Sequence, residues 1–189
     1  MNESKRPQLR RIAEAVRRLV LRCGTRDPYR IARLLGIYVL YPEGLLHLKG
    51  FYRVIEGKRF IFLNGAGSEQ EKRIVCAHEL GHDALHREYA EKKAFQELEL
   101  FGHASRHEYE ANLFLAELLI EDEEMLETAE VFLQSSLNVS ETSRNLYMHR
   151  NTLLYRLDKI EKSTGLNIRL FSDAVSFRVL TVLHKLLKK

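Results

Sequence analysis

The sequence predicts an α+β fold with its strands gathered in one short segment. Three observations carry this. Alternating apolar and polar residues occur only between about positions 37 and 64. Apolar residues at helical spacing come before that segment and after it. Beyond about residue 120 every periodic stretch is helical. The division predicts a first domain over residues 1–125, built on a short antiparallel sheet, and an all-α second domain over 126–189.

The elements follow in order. Leu9, Ile12, Ala13, Val16, Leu19 and Val20 recur at helical spacing with arginines between them, so the N-terminus reads as an amphipathic helix rather than a leader peptide. Asp27-Pro28 is a helix start, with aspartate as cap and proline at the first helical position, and Gly36 stops that short helix. IYVLY (37–41) is a strand candidate. KGFYRVI and RFIFLN read as a hairpin around Gly57. A helix is expected over Ser68 to about His86, less regular chain over 87–104, and a helix from Ser105 to Ile120. Four more helices are expected over about 123–135, 140–147, 151–163 and 173–187. The seam falls in 120–137, where strands have ceased and charge changes sign. No Pro/Gly linker marks it, which suggests a shared helix as the join.

Composition excludes the extreme classes. With 45% hydrophobic and 30% charged residues the chain reads as an ordinary globular protein, and no apolar run has the length to span a bilayer. Two cysteines are too few for a disulfide framework, so a cytoplasmic setting without membrane association is expected. Residues 137–189 carry ten Lys/Arg against four Asp/Glu, whereas the rest of the chain is slightly acidic. That asymmetry points to nucleic acid as a partner of the tail, against the alternative of a solvated cationic surface.

CAHELGH (76–82) carries the chemistry. On a helix His78 and His82 share one face, so both imidazoles can meet one ion, with Glu79 one step round where it can contact an ion-bound water. In that role His78 and His82 are metal ligands and Glu79 is a general base. The alternative is an ordinary pair of surface histidines. The apolar company of Ile74, Val75, Ala77 and Leu80 speaks against it, since this face is then buried. Gly81 leaves room for another backbone. A third ligand is available from Glu108 or Glu110 in HEYEANLFLAELL. His86 could face the metal but more readily packs beside it; His103 and His107 are substrate-binding candidates or loop residues. Asp83 could hold a ligating imidazole, and Cys76 is a small core residue.

CAHELGHDALH followed by EYEANLFLAELLIEDE resembles the ImmA/IrrE family of metallopeptidases, whose pattern is HELGHxxLH and then ExEANxFAAELL. DPYRIARLLGIYVLY and the hairpin ending RFIFLN agree with that family's N-terminal portion, so the resemblance covers about residues 10–125. It implies a small zincin-like metallopeptidase domain with Zn2+ on His78, His82 and Glu110, and Glu108 as the fallback. It also implies Glu79 as the base and a helix-turn-helix repressor as the substrate. Leu115 departs from the family's usual alanine.

In the tail, Ser140 reads as a helix cap, Leu146 and Tyr147 as apolar anchors, and Met148-His149-Arg150 as a tight turn. Asn151 or Thr152 then opens a second helix with Leu153, Leu154, Leu157 and Ile160 as its buried stripe, stopped by Gly165. Two short helices about a tight turn form a helix-turn-helix candidate. His149, Arg150, Asn151 and Thr152 stand where such helices meet DNA, and Tyr155, Arg156 and Lys159 continue along the expected exposed side. HRNTLLYRLDKIEKSTGLNI is similar to the C-terminal helix-turn-helix of PucR/CdaR-type regulators, with Ser143 in place of their usual alanine. That resemblance covers about residues 132–187 and implies a module that binds double-stranded DNA and forms a homodimer. The expected function is a zinc-dependent endopeptidase with a DNA-binding tail. The alternative is a transcription regulator whose HExxH domain serves as a metal-binding sensor or partner-binding module.

Overall fold

The computed structural model describes residues 6–46, 48–90, 95–97 and 105–188. These form eight helices and four strands. They are α1 (Arg6–Cys23), α2 (Pro28–Leu34), β1 (Tyr38–Leu40), β2 (Gly50–Ile55), β3 (Lys58–Leu63), α3 (Glu69–Ala90), β4 (Phe95–Glu97), α4 (Arg106–Leu119), α5 (Glu123–Gln134), α6 (Val139–Asn145), α7 (Arg150–Thr164) and α8 (Phe171–Leu187).

The sheet order is β1-β3-β2-β4. β2 and β3 form the expected hairpin, with Ile55 opposite Lys58 across a two-residue turn. Glu56 (φ 50°) and Gly57 (φ 74°) both take positive φ there, as a twist-compatible two-residue hairpin turn requires. The sheet is not wholly antiparallel, as expected from sequence. β1 pairs with β3 in parallel, because its chain must first cross to β2 before β3 returns beside it. β4 falls in a stretch read as irregular, and α3 runs four residues past His86, with a kink at His86 itself.

Tyr52, Ile61 and Leu63 turn inward from the sheet and are fully buried. α3 lies on that inner face. A Cβ on Gly50 would stand 2.6 Å from Val75 and 2.7 Å from the Phe62 carbonyl, so β2 meets α3 through a residue without a side chain. On its other side α3 crosses α4. A Cβ on Gly81 would lie 3.1 Å from Ala111 Cα and 3.3 Å from its carbonyl oxygen. The close approach foreseen for Gly81 is therefore to α4.

The C-terminal helices do not stand apart. α8 packs on α4 and α1, and α7 reaches α3. Phe114 and Leu118 of α4 share one buried core with Leu157, Phe177 and Leu180. At the end of α7, Gly165 takes the left-handed conformation (φ 82°), and Arg73 of α3 donates to the carbonyl of Ser163 (3.0 Å). Among the described residues no helix is long and apolar enough to cross a membrane.

Gly81→Val should lower stability by about 1–3 kcal/mol through overpacking against Ala111, read as a reduced urea midpoint at unchanged slope. A second prediction concerns Asp27, which caps α2 through the Arg30 N–H (2.8 Å) and pairs with Arg73 (2.7 Å). Burial raises its carboxyl, but these donors outweigh burial and hold it below its ordinary value of 3.8. Its contribution is thus present above about pH 4 and lost as pH falls through the lowered folded-state value. Asp27→Asn keeps the cap and removes the charge. Its melting temperature should lie below wild type near neutral pH and converge with it on acidification.

Candidate functional site

Four residues apart on α3, His78 and His82 project toward α4 because Gly81 lets the two helices touch. Ser105 caps α4 by accepting from the Glu108 N–H (3.2 Å), which fixes Glu108 in the first turn facing α3. Glu108 Oε2 then lies 3.0 Å from His78 Nε2, Glu108 Oε1 lies 3.5 Å from His82 Nε2, and the two Nε2 atoms are 3.0 Å apart. Among the described residues this is the one His/Cys/Asp/Glu cluster whose ligand atoms converge in this way.

Glu110 is not part of it, contrary to the ligand set expected from the resemblance. Two residues from Glu108 on a helix, it faces elsewhere. Its oxygens meet His86 Nε2 (3.0 Å), Arg106 Nε (2.8 Å), Arg11 (3.5 Å) and the Gln8 amide. Glu108, the fallback, holds the position. A usable signal was present in the sequence. Glu108 stands four residues before Asn112, so the two share a face, and Asn112 Oδ1 contacts His78 Nδ1 (3.0 Å).

The contacts fix the chemistry. Asn112 Oδ1 can only accept, so it meets a proton on His78 Nδ1 and turns His78 Nε2 toward Glu108 and His82. His82 is buried, and that burial pushes its pKa down to about 3, so it is neutral at ordinary pH. Burial alone would raise the Glu108 carboxyl, but its contacts with His78 and His82 outweigh burial and hold the carboxyl low. A cation at the same point would act in the same direction. Two imidazole nitrogens and a carboxylate oxygen form the donor set of a three-ligand zinc site with one open position. Their separations of 3.0–3.5 Å bracket the edge of about 3.4 Å expected for tetrahedral bonds of roughly 2.1 Å. The residues fit the ion.

Glu79 is fully buried beside His78. Asp83 does not orient an imidazole. It accepts from the Tyr52 hydroxyl (2.7 Å) and pairs with Arg59 and Arg87, because position 83 turns toward the sheet. His86 lies next to the site, with Nδ1 3.2 Å from His82 Nδ1. His107 packs its ring against Tyr89 and His86, while His103 lies outside the described residues. Cys76 is buried, and burial pushes its thiol pKa up, as suits a core residue.

At the other end, α6 and α7 form a helix-turn-helix. Its caps differ from expectation: Asn138 caps α6, and His149 caps α7 by accepting from the Asn151 N–H (3.2 Å). Arg150, Asn151, Thr152 and Tyr155 are exposed along one side of α7. Arg156 and Lys159 share a helix face with Thr152 and Tyr155, but their charges are engaged within the molecule. Arg156 pairs with Glu124 (2.6 Å) and contacts Thr128, and Lys159 pairs with Asp122 (2.8 Å). They flank the buried Leu153–Leu157–Ile160 stripe and face the acidic α5. Tyr147 is no anchor either. It is 98% exposed in the turn, at φ 51°, beside exposed Arg144.

Residues 125–181 match the family model of the PucR C-terminal helix-turn-helix domain. The chain is 38% identical over 112 residues to an uncharacterised immunity region protein 2 of Bacillus phage phi105, covering 59% of this chain and 69% of that protein. The chain belongs to the family of that phage protein. The chain is also 44% identical over 55 residues to the purine catabolism regulatory protein of Bacillus subtilis (strain 168), 29% of this chain and 10% of that protein. With the uncharacterised protein YxkF of the same organism it shares 38% identity over 61 residues, 32% of this chain and 20% of that protein. The chain thus spans only a small part of these two proteins. No solved structure matches it.

The exposed residues of α7 predict how DNA binding responds to mutation. Arg150→Ala should weaken binding to all duplexes alike and reduce the log–log salt slope by about 1. Arg156→Ala should leave that slope unchanged and lower the melting temperature instead, because its charge is spent on Glu124.

Proposed function

We propose that the protein is a DNA-binding transcription regulator whose N-terminal part holds a zinc ion on His78, His82 and Glu108. The observation that supports it best is the convergence of three acceptor atoms, in a chain whose other end matches a regulator's helix-turn-helix. The nitrogen-rich donor set favours zinc over magnesium or calcium, which take oxygen ligands. The name of the phage relative assigns that protein to an immunity region, a setting in which a regulator of this kind would serve. Purified protein should contain about one zinc per chain by elemental analysis. His82→Ala and Glu108→Ala should lose it, whereas Glu110→Ala should still load when zinc is stoichiometric. Full occupancy in Glu108→Ala would refute the ligand set.

One observation favours a second reading, peptidase activity on a helix-turn-helix repressor. Glu79 is buried beside the ligand pair, and a carboxylate is kept in such a place at a free-energy cost that function can justify. A zinc ion there would polarise a carbonyl and lower the pKa of its bound water to about 7. Glu79 would take the proton from that water and hand it to the leaving amine. Glu79→Gln should keep the metal and abolish cleavage of a co-incubated repressor; cleavage at the wild-type rate would remove Glu79 from that role.

A further inference from the structure

Two backbone bonds close the end of α6. The Tyr147 N–H donates to the Arg144 carbonyl (3.1 Å) and the Met148 N–H to the Ser143 carbonyl (3.0 Å). This pattern puts the second residue past the helix in the left-handed region, where glycine is favoured. Helices α2 and α7 close in that conformation on Gly36 (φ 69°) and Gly165 (φ 82°). α6 closes on Tyr147 (φ 51°). A Cβ there costs free energy that glycine avoids. At the end of α5 Leu137 also takes positive φ (63°), but its side chain packs against the core. The Tyr147 side chain does not; the residue is 98% exposed. A strained backbone position held by a side chain that buries nothing points to a role outside the fold.

Its place in the chain supplies that role. Tyr147 stands in the turn of the helix-turn-helix, three residues before Arg150 at the start of α7. Arg144 and Arg150, before and after it in the chain, are exposed. When the second helix of such a pair enters the major groove by its N-terminal end, the turn before it lies over the flanking sugar–phosphate chain. A phenol donates to phosphate without carrying charge. We infer that Tyr147 is a DNA-backbone contact, its hydroxyl donating to a phosphate oxygen beside the groove that α7 enters. Leu146 and Met148 pack against the core on either side of it, so the ring is presented from an anchored turn and little order remains to be gained on binding.

This inference rests on the DNA-binding reading above, and one set of measurements separates the two. The full chain is titrated against a fluorescently labelled mixed-sequence duplex over a range of salt, as wild type, Tyr147→Phe and Tyr147→Gly, and each protein is melted without DNA. Phosphate contacts act on any sequence, so a mixed duplex is a sufficient probe. Tyr147→Phe should bind about tenfold more weakly at every salt concentration, the loss expected for a hydrogen bond to a charged group. Its log–log salt slope should equal that of wild type, because a neutral donor displaces no counterion, whereas Arg150→Ala changes the slope. Tyr147→Gly should bind as weakly as Tyr147→Phe or more so, yet melt above wild type, since glycine relieves the left-handed position. Wild-type affinity in both variants would overturn the inference and leave the DNA-binding reading standing. A Tyr147→Gly protein that melts below wild type would also overturn it, by showing that the side chain serves the fold. If wild type binds no duplex even at low salt, the DNA-binding reading fails and the inference fails with it.

Discussion

The crossing of α3 over α4 at Gly81 and Ala111 sets the geometry on which everything else depends. A Cβ at position 81 would press on the Ala111 backbone at 3.1–3.3 Å, so an approach this close favours a residue without a side chain. Because the axes meet there, the residues one turn to either side are brought within hydrogen-bond range. His78 meets Asn112 and Glu108, and His86 meets Glu110. Gly50 does for the sheet side of α3 what Gly81 does for the other. The helix is held between two close contacts, and its polar side chains have little freedom to turn elsewhere.

The same helix ties the two ends of the chain together. Arg73, near its start, joins the cap residue of α2 to the last turn of α7. α4 bears Glu108 in its first turn, and near its far end Glu117 lies 3.2 Å from His184 of α8. The acidic α5 lies between, taking Lys159, Arg156, Lys185 and Arg178 into ion pairs. Part of the tail's positive excess is therefore neutralised inside the molecule. Arg144 and Arg150, exposed beside the turn, stay outside these pairs. The histidine cluster and the helix-turn-helix are joined through the contacts of α3 with α7 and of α4 with α8.

Much of this was legible in the sequence, for physical reasons. Periodicity located the helices and the hairpin, because burial on one face imposes it. HExxH brought His78 and His82 together, since helical spacing alone decides that. Failures occurred where a side chain's partner lies far along the chain. Local spacing puts Glu108 on one face with Asn112, but that this face meets α3 is decided by the crossing. Arg156 and Lys159 look exposed until the acidic helix that claims them is in place. Tyr147 has the composition of an anchor but sits in a turn whose positive φ turns it outward. The parallel pairing of β1 and the strand β4 depend on chain crossing and on three-residue segments too short to carry a period.

The polar stripe of α3 sharpens what the fold is for. His78, Glu79, His82, Asp83 and His86 are all buried on one helix, where apolar residues of similar volume would pack with less desolvation. They do not form a single network. Asp83 turns to the sheet, where Tyr52, Arg59 and Arg87 satisfy it, and that cluster completes itself among protein groups. The histidines turn to α4, where two ring nitrogens and a carboxylate oxygen face one point. Stability alone would favour the first kind of arrangement throughout. Three donor atoms that converge on one point have the spacing a small cation asks for, which nothing in the Asp83 cluster has.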